Sequence, residues 1–281
     1  MAETMQFGRL SQWRDSADFN EETARQRAKQ LELRARAEDE TATREEYLQL
    51  LGVRPGERVL DLGCGSGVVT RAMAKRVAPG GCAVGIDASP ALVAVAREYA
   101  DAAGLGGSVE FHEGDCRRLP FPDASFDAAI AATVLAHVPE AERALAEMVR
   151  VTRLGGRVGV FDFDGDAFII AHPDRVLTRR IVASYSDHAT VNVGLTRRMP
   201  GLLAALGLVE VRVRGFMPLE RERGSFYAGL AERAAAGAAK MGDITSDELA
   251  SWTAALEAEY AAGSFLGGRP HIFAWGTRPR S

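Results

Sequence analysis

The stretch Val59-Leu60-Asp61-Leu62-Gly63-Cys64-Gly65-Ser66-Gly67 runs from a buried-strand pattern into alternating glycines and opens directly onto helical spacing from Val68 to Val77. Glycines in such a turn let a ligand approach bare backbone at the positive end of a helix. A nicotinamide fingerprint, G-x-G-x-x-G, would require glycine at position 68, which is Val68, so the pattern here is G-x-G-x-G. Outward from this loop, apolar runs alternate with helical patterns. Strands are predicted at Arg58–Leu62, Ala83–Asp87, Val109–Glu113, Phe126–Thr133 and Arg157–Phe163, with helices over Ala91–Ala103 and Pro139–Thr152. This order predicts an α/β fold, a parallel sheet with crossover helices. Asp87 closes the second strand and Asp115 follows the third, and ligands of such sheets bind outside the C-terminal strand ends. A carboxylate beside the glycine loop suits a ribose, whose two vicinal hydroxyls it can accept from.

The remaining segments elaborate that sheet. Glu21–Leu51, without proline or glycine, predicts one long helix in an N-terminal arm or lid over residues 1–51, with the main domain over 52–281. Its first half is expected to be solvated or to close as a lid, and the core to begin near Tyr47. Alternation breaks at about 164–200, resumes with a helix at Gly201–Leu206 and a strand at Val209–Val213, and breaks again at about 217–269. The second insertion holds two Ala-rich helices, Ser225–Met241 and Asp247–Ala262, and His271–Trp275 reads as a last strand. The expectation is seven strands, mostly parallel.

With 281 residues, 34 Lys and Arg against 38 Asp and Glu give a net charge of −4. Nucleic acids and anionic membranes call for clustered positive charge, so neither is an expected partner. Cys64, Cys82 and Cys116 lack the spacing of a zinc site and are too few for a disulfide scaffold, which predicts a reducing, cytoplasmic setting. The stretch Met1–Asp15 holds Arg9 and Arg14 but no apolar run after them, and no stretch is long enough to span a bilayer.

In its motifs Asp61-Leu62-Gly63-Cys64-Gly65-Ser66-Gly67, Gly85-Ile86-Asp87, Gly114-Asp115, Leu119-Pro120-Phe121 and Phe126-Asp127, the chain resembles the class I S-adenosylmethionine (SAM)-dependent methyltransferases over about residues 47–163. It looks most like the bacterial group that includes quinone C-methyltransferases and many natural-product methyltransferases, through Leu135-Ala136-His137-Val138-Pro139 and Arg150-Val151-Thr152-Arg153-Leu154-Gly155-Gly156-Arg157. Leu154 departs from the proline usual there. The resemblance implies that backbone at Gly63, Gly65 and Gly67 holds the methionyl part of SAM, with Asp61 anchoring its amino group directly or through water. It gives Asp87 to the ribose and Ala88 to the adenine face. Gly114, Asp115 and the Cys116 backbone fall at the adenine edge, with Asp115 accepting from its amino group. Thr133 and His137 would border the methionyl end and the methyl.

A base is needed only if the methyl acceptor arrives protonated. The candidates are His188, Asp164 and His137. Asp162, Asp164 and Asp166 fail an EF-hand pattern because Pro173 stands at the twelfth position, and no metal is expected. Arg179, Arg180, Arg197 and Arg198 could neutralise an acidic substrate, although such pairs more often bind local carboxylates. The Ala-rich helices would cap the substrate or form a homodimer interface. Two functions remain open: methyl transfer to a small molecule, and SAM binding in the service of cyclisation or regulation.

Overall fold

Val59, Leu60 and Leu62 are all fully buried, which makes Arg58–Leu62 a central strand covered on both faces. The computed structural model describes residues 13, 15–36 and 38–281. Its main sheet contains β1 (Arg58–Leu62), β2 (Cys82–Asp87), β3 (Val109–Glu113), β4 (Phe126–Ala132), β5 (Thr152–Phe163), β6 (Val209–Phe216) and β7 (His271–Thr277). The strand order is β3-β2-β1-β4-β5-β7-β6. Leu60 sits opposite Val84 on one side and Ala129 on the other, in parallel register. Only β7 runs against its neighbours, with His271 opposite Phe163 of β5 and Phe216 of β6. The seven-stranded, mostly parallel sheet expected from the alternation is therefore present.

Crossover helices cover both faces. Beside β1 lie α3 (Val68–Val77) and α4 (Pro90–Ala102); the latter starts on Ser89, whose hydroxyl accepts from Leu92 N at 3.3 Å, with Pro90 in the first turn. On one face, Met73, Ala74 and Val77 of α3 pack with Val59, Ile130, Phe161 and Phe273. Opposite them, α5 (Ala141–Val151) and α7 (Leu195–Ala205) bury Leu145, Met148, Met199 and Leu203 against Leu60, Val84 and Val158.

The N-terminal segment departs from expectation. It is two helices, α1 (Glu21–Ala35) and α2 (Glu38–Leu51), where the residues predict one. At the corner, the carbonyl of Ala35 accepts from Thr41 Oγ1 at 3.0 Å and from the Arg44 guanidinium, so side chains from α2 satisfy the end of α1. Tyr47, Leu48 and Leu51 belong to the sheet core, with the Tyr47 and Phe161 ring centroids 4.7 Å apart. Ala24 and Ala28 are buried against Leu92 and Val95 of α4. Residues 1–12, 14 and 37 of the expected lid lie outside the described residues.

The first insertion is more regular than expected, containing α6 (Arg175–Ala189) and most of α7. Pro200 sits inside α7, where burial of Leu195, Met199 and Leu203 at four-residue spacing outweighs its cost to the helix. With α8 (Phe226–Met241) and α9 (Ser246–Ala262), α6 builds a second core around Ile181, Tyr227, Trp252 and Phe265. Helix α9 starts in a capping box, Thr245 with Glu248. Three two-residue strands, Ile169–Ile170, Gly267–Gly268 and Leu219–Glu220, join this cap to the sheet edge. Among the described residues no helix is long and apolar enough to cross a membrane.

Trp252 stacks on His172 with centroids 4.7 Å apart and donates to Thr178 Oγ1 at 3.0 Å. Trp252→Ala is expected to remove about 3–5 kcal/mol of unfolding free energy, read from urea denaturation. A loss below about 1 kcal/mol would show that the cap core contributes little to the measured transition.

Candidate functional site

The chain builds β1, β2 and β3 outward, then returns to lay β4 on the free side of β1. That reversal opens a crevice at the C-terminal ends of β1 and β4, where the glycine loop and Thr133 meet. The glycines differ in what surrounds them. Gly63 has φ +66° and a Cβ there would lie 2.5 Å from Val134 Cγ1, so its absence of a side chain serves the packing of two turns. A Cβ on Gly67 would likewise strike Phe111, at 2.9 Å. Gly65, at φ +52°, meets only the tip of Leu31, at 3.0 Å, and is the open floor of the crevice.

Asp87 holds that floor in place. Its Oδ2 accepts from Gly65 N and its Oδ1 from Ser89 N, each at 2.9 Å. Burial raises its pKa, opposed by these backbone hydrogen bonds. Asp61, behind the loop, accepts from Thr70 Oγ1 at 2.6 Å; burial pushes its carboxyl up to about 7 against the Thr70 bond. Ala88 is exposed beside Asp87. Gly114 N donates to Asp87 O at 2.9 Å, and a Cβ at Gly114 would lie 2.7 Å from Ile86 Cδ1. Asp115 is exposed and bound by both the backbone and the guanidinium of Arg117, which lower its pKa. Burial pushes the Cys116 thiol up to about 12, leaving a neutral, unreactive side chain at neutral pH.

Across the crevice, Thr133 holds φ +57°, a left-handed conformation rare for a β-branched residue. Its N–H donates to Phe161 O at 2.6 Å and turns the chain into the short 3-10 segment Leu135–His137. Asp162, fully buried, pins that segment: Oδ2 accepts from Ala136 N at 2.9 Å and Oδ1 from Phe163 N at 3.0 Å. Burial raises the Asp162 pKa to about 6. His137 lies with its ring centroid 5.7 Å from that of Phe163; burial and then the Arg269 charge lower its pKa to about 4, so the imidazole is neutral at pH 7.

The other two proposed bases are engaged elsewhere. Asp164 accepts from Arg197 Nε at 2.6 Å and Nη2 at 3.0 Å, a bidentate pair that leaves it no free base. His188 pairs through Nε2 with Asp243, at 3.3 Å, in the turn between α8 and α9. Of the double arginines, Arg180 binds Glu248, Arg197 binds Asp164 and Asp166, and Arg198 reaches Glu142, so all three serve local carboxylates. Sequence reasoning missed the contribution of α1: Glu32 accepts from Ser66 Oγ at 2.8 Å and pairs with Arg71 at 2.7 Å, so the helix clasps the glycine loop. No local pattern announces that clasp, since Glu32 is one acidic residue among many.

Residues 59–156 match a family described as a methyltransferase domain. Over those residues the chain carries a methyltransferase domain. It is 37% identical over 139 residues to a ubiquinone/menaquinone biosynthesis C-methyltransferase from Ectopseudomonas mendocina, covering 50% of this chain and 52% of that protein. The chain spans about half the length of the curated relatives it matches. In fold it is similar to the YcgJ protein of Bacillus subtilis, with a TM-score of 0.59 at 21% identity, covering 86% of this chain and all of the other. The crystal structure of the [4+2]-cyclase SpnF gives 0.53 at 25% identity, covering 88% and 84%.

The raised pKa of Asp61 makes a stability prediction. The folded protein binds this proton more tightly than the unfolded chain, where an Asp titrates near about 4. The associated stability is full below that value and is lost as pH rises through about 7. Asp61→Asn is therefore expected to gain on the parent in thermal midpoint as pH rises from about 4 to about 7. A constant difference over that range would mean that the carboxyl titrates normally.

Proposed function

We propose that the protein transfers the methyl group of SAM to a small-molecule acceptor held beneath the helical cap. The observation that carries this reading is the crevice floor: Gly65 open on one side, with Asp87 beneath it keeping acceptor capacity in reserve. An ionised carboxylate offers about four acceptor positions, and the backbone N–H groups of Ser89, Gly65 and Ala88 engage three. The position that remains can accept from a ribose hydroxyl. In this reading exposed Ala88 lies against the adenine face, and the Asp61 carboxyl behind the loop accepts from the ligand's ammonium. Thr133, at the turn after β4, borders the methionyl end in this reading. Asp115 fits less closely, because the adenine amino group has to share a carboxylate that Arg117 already holds.

When bound, SAM supplies a methyl already activated on a sulfonium, so the protein's work is to align the acceptor and exclude water. Asp162 fixes the turn that carries His137, and Thr133 sets the direction of that turn. His137, neutral at pH 7, has the capacity to take an acceptor proton; Asp164 and His188 are not proposed as bases, given their partners. A cytoplasmic setting accords with the three free thiols.

A second reading keeps SAM as a bound structural group while the cap promotes a cyclisation. The likeness to the cyclase SpnF favours its inclusion. Stoichiometric formation of S-adenosylhomocysteine with a methylated product supports transfer; acceptor consumption with no S-adenosylhomocysteine formed supports cyclisation. In calorimetry, Asp87→Ala is expected to weaken S-adenosylhomocysteine binding by about 1–3 kcal/mol. Unchanged affinity in a folded variant would take Asp87 out of the site.

A further inference from the structure

Arg269 is only 3% exposed and pairs with no carboxylate among the described residues. Its guanidinium carbon lies 3.4 Å from the centroid of the Phe163 ring, and Nη1 donates to the Tyr185 hydroxyl. Nε is buried without a partner. A cation taken out of water with a phenol and an aromatic face as its direct partners, and Asp162 acting on it only at longer range, is costly to bury. The nearby carboxylates are committed elsewhere. Asp162 accepts from Ala136 N and Phe163 N and acts on the Arg269 charge through space without a salt bridge, Glu40 holds Arg34 at 3.1 Å, Asp164 holds Arg197, and Glu220 accepts from Tyr227 N at 2.6 Å.

Two more polar atoms are stranded in the same place. The Tyr227 hydroxyl and His271 Nε2 are buried with no hydrogen bond, in residues 1% and 2% exposed. Both side chains feel the Arg269 charge. Phe168 bridges Tyr185 and Tyr227, with centroids 5.8 and 6.3 Å away, and Phe163 lies 6.3 Å from His271. The same Phe163 ring is 5.7 Å from His137, so the cluster adjoins the expected methyl end of the crevice. Buried polar atoms are nearly always satisfied in a finished structure, and an unfilled ligand position explains three orphans around one unpaired cation.

We propose that this cluster, which is closed over its own polar atoms here, parts to bind a small carboxylic acid on an aromatic or otherwise apolar body, its carboxylate on the Nε–Nη2 edge of Arg269 and the Tyr227 hydroxyl donating to it. The planar edge offers two parallel donors, the match for a carboxylate. One cation without an ion-pair partner matches a monoanion better than a phosphate dianion, because Asp162 already places one carboxylate near it and the neighbouring Arg34 is already paired. His271 Nδ1 faces the carbonyl of Arg269 at 3.0 Å and so carries the proton, leaving Nε2 as an acceptor. That lone pair serves a hydroxyl or a water beside the acid, and not the anion. Phe163, Phe168 and Tyr185 supply apolar faces for the body.

This inference rests on the methyl-transfer reading for the acid's role as acceptor, and on the pocket alone for its charge. The test uses the full chain with S-adenosylhomocysteine at saturation and titrates benzoate, benzamide and phenyl phosphate by calorimetry. Benzoate is expected to bind at least about tenfold more tightly than benzamide and more tightly than phenyl phosphate. Arg269→Gln should abolish the preference for benzoate, and Tyr227→Phe, which removes one buried oxygen, should weaken benzoate severalfold without changing benzamide. Equal binding of benzoate and benzamide, or a preference untouched by either variant, overturns the proposal. Phenyl phosphate binding best overturns the monoanion assignment. Failure of S-adenosylhomocysteine to bind at the outset counts against the methyl-transfer reading and with it the acid's role as acceptor; its normal binding beside absent benzoate binding sinks only the acid pocket.

Discussion

The hydrogen bond from Gly65 N to Asp87 Oδ2 is the constraint on which the crevice depends. It ties the loop after β1 to the end of β2, while the other oxygen of the same carboxylate takes Ser89 N at the start of α4. One buried anion thus sets the separation of two strand ends and the origin of a helix. The charge is costly to bury, as its raised pKa records, and backbone N–H groups offset that cost.

A similar arrangement is found across the crevice. Asp162 binds Ala136 N as Asp87 binds Gly65 N, so each wall is a turn fastened by a carboxylate from a neighbouring strand. Thr133 adds a left-handed residue where glycine would be easier, a local strain of about 1–3 kcal/mol that the flanking strands hold in place. Over this pair of turns, α1 contributes Leu31 and Glu32 from one side, and the cap contributes Arg269 and Tyr185 from the other.

How much of this was legible follows from how local each signal is. The glycine loop, Asp87 and Asp115 lie at strand ends that apolar runs mark in the chain itself, so the sheet, its seven strands and the meeting of the glycine loop with Asp87 were readable. The pairing of Asp115 with Arg117 was also within reach, two residues away. The corner between α1 and α2 was not, because no glycine or proline marks it and side chains of Thr41 and Arg44 make it. Nor was the cluster around Arg269 legible. Its members, Phe163, Tyr185, Tyr227 and His271, come from four separated segments and read individually as ordinary core. His188 and Asp164 were plausible by residue type, and only tertiary contacts show that Asp243 and Arg197 hold them.

The antiparallel last strand has a consequence for assembly. β6 touches the sheet only through β7, so it cannot join until the whole α8–α9 excursion has been made and the chain has come back. The half of the molecule that holds the glycine loop, Asp87 and Thr133 is complete in sequence by the end of β5. The half that holds Arg269 and His271 depends on a strand sliding into a gap beside an existing edge. Loop closure over that distance is slow relative to local pairing, so folding follows a schedule in which the crevice precedes the buried cluster beside it. Until β7 arrives, the β5 edge is an open template, and a second nascent chain is its nearest competitor.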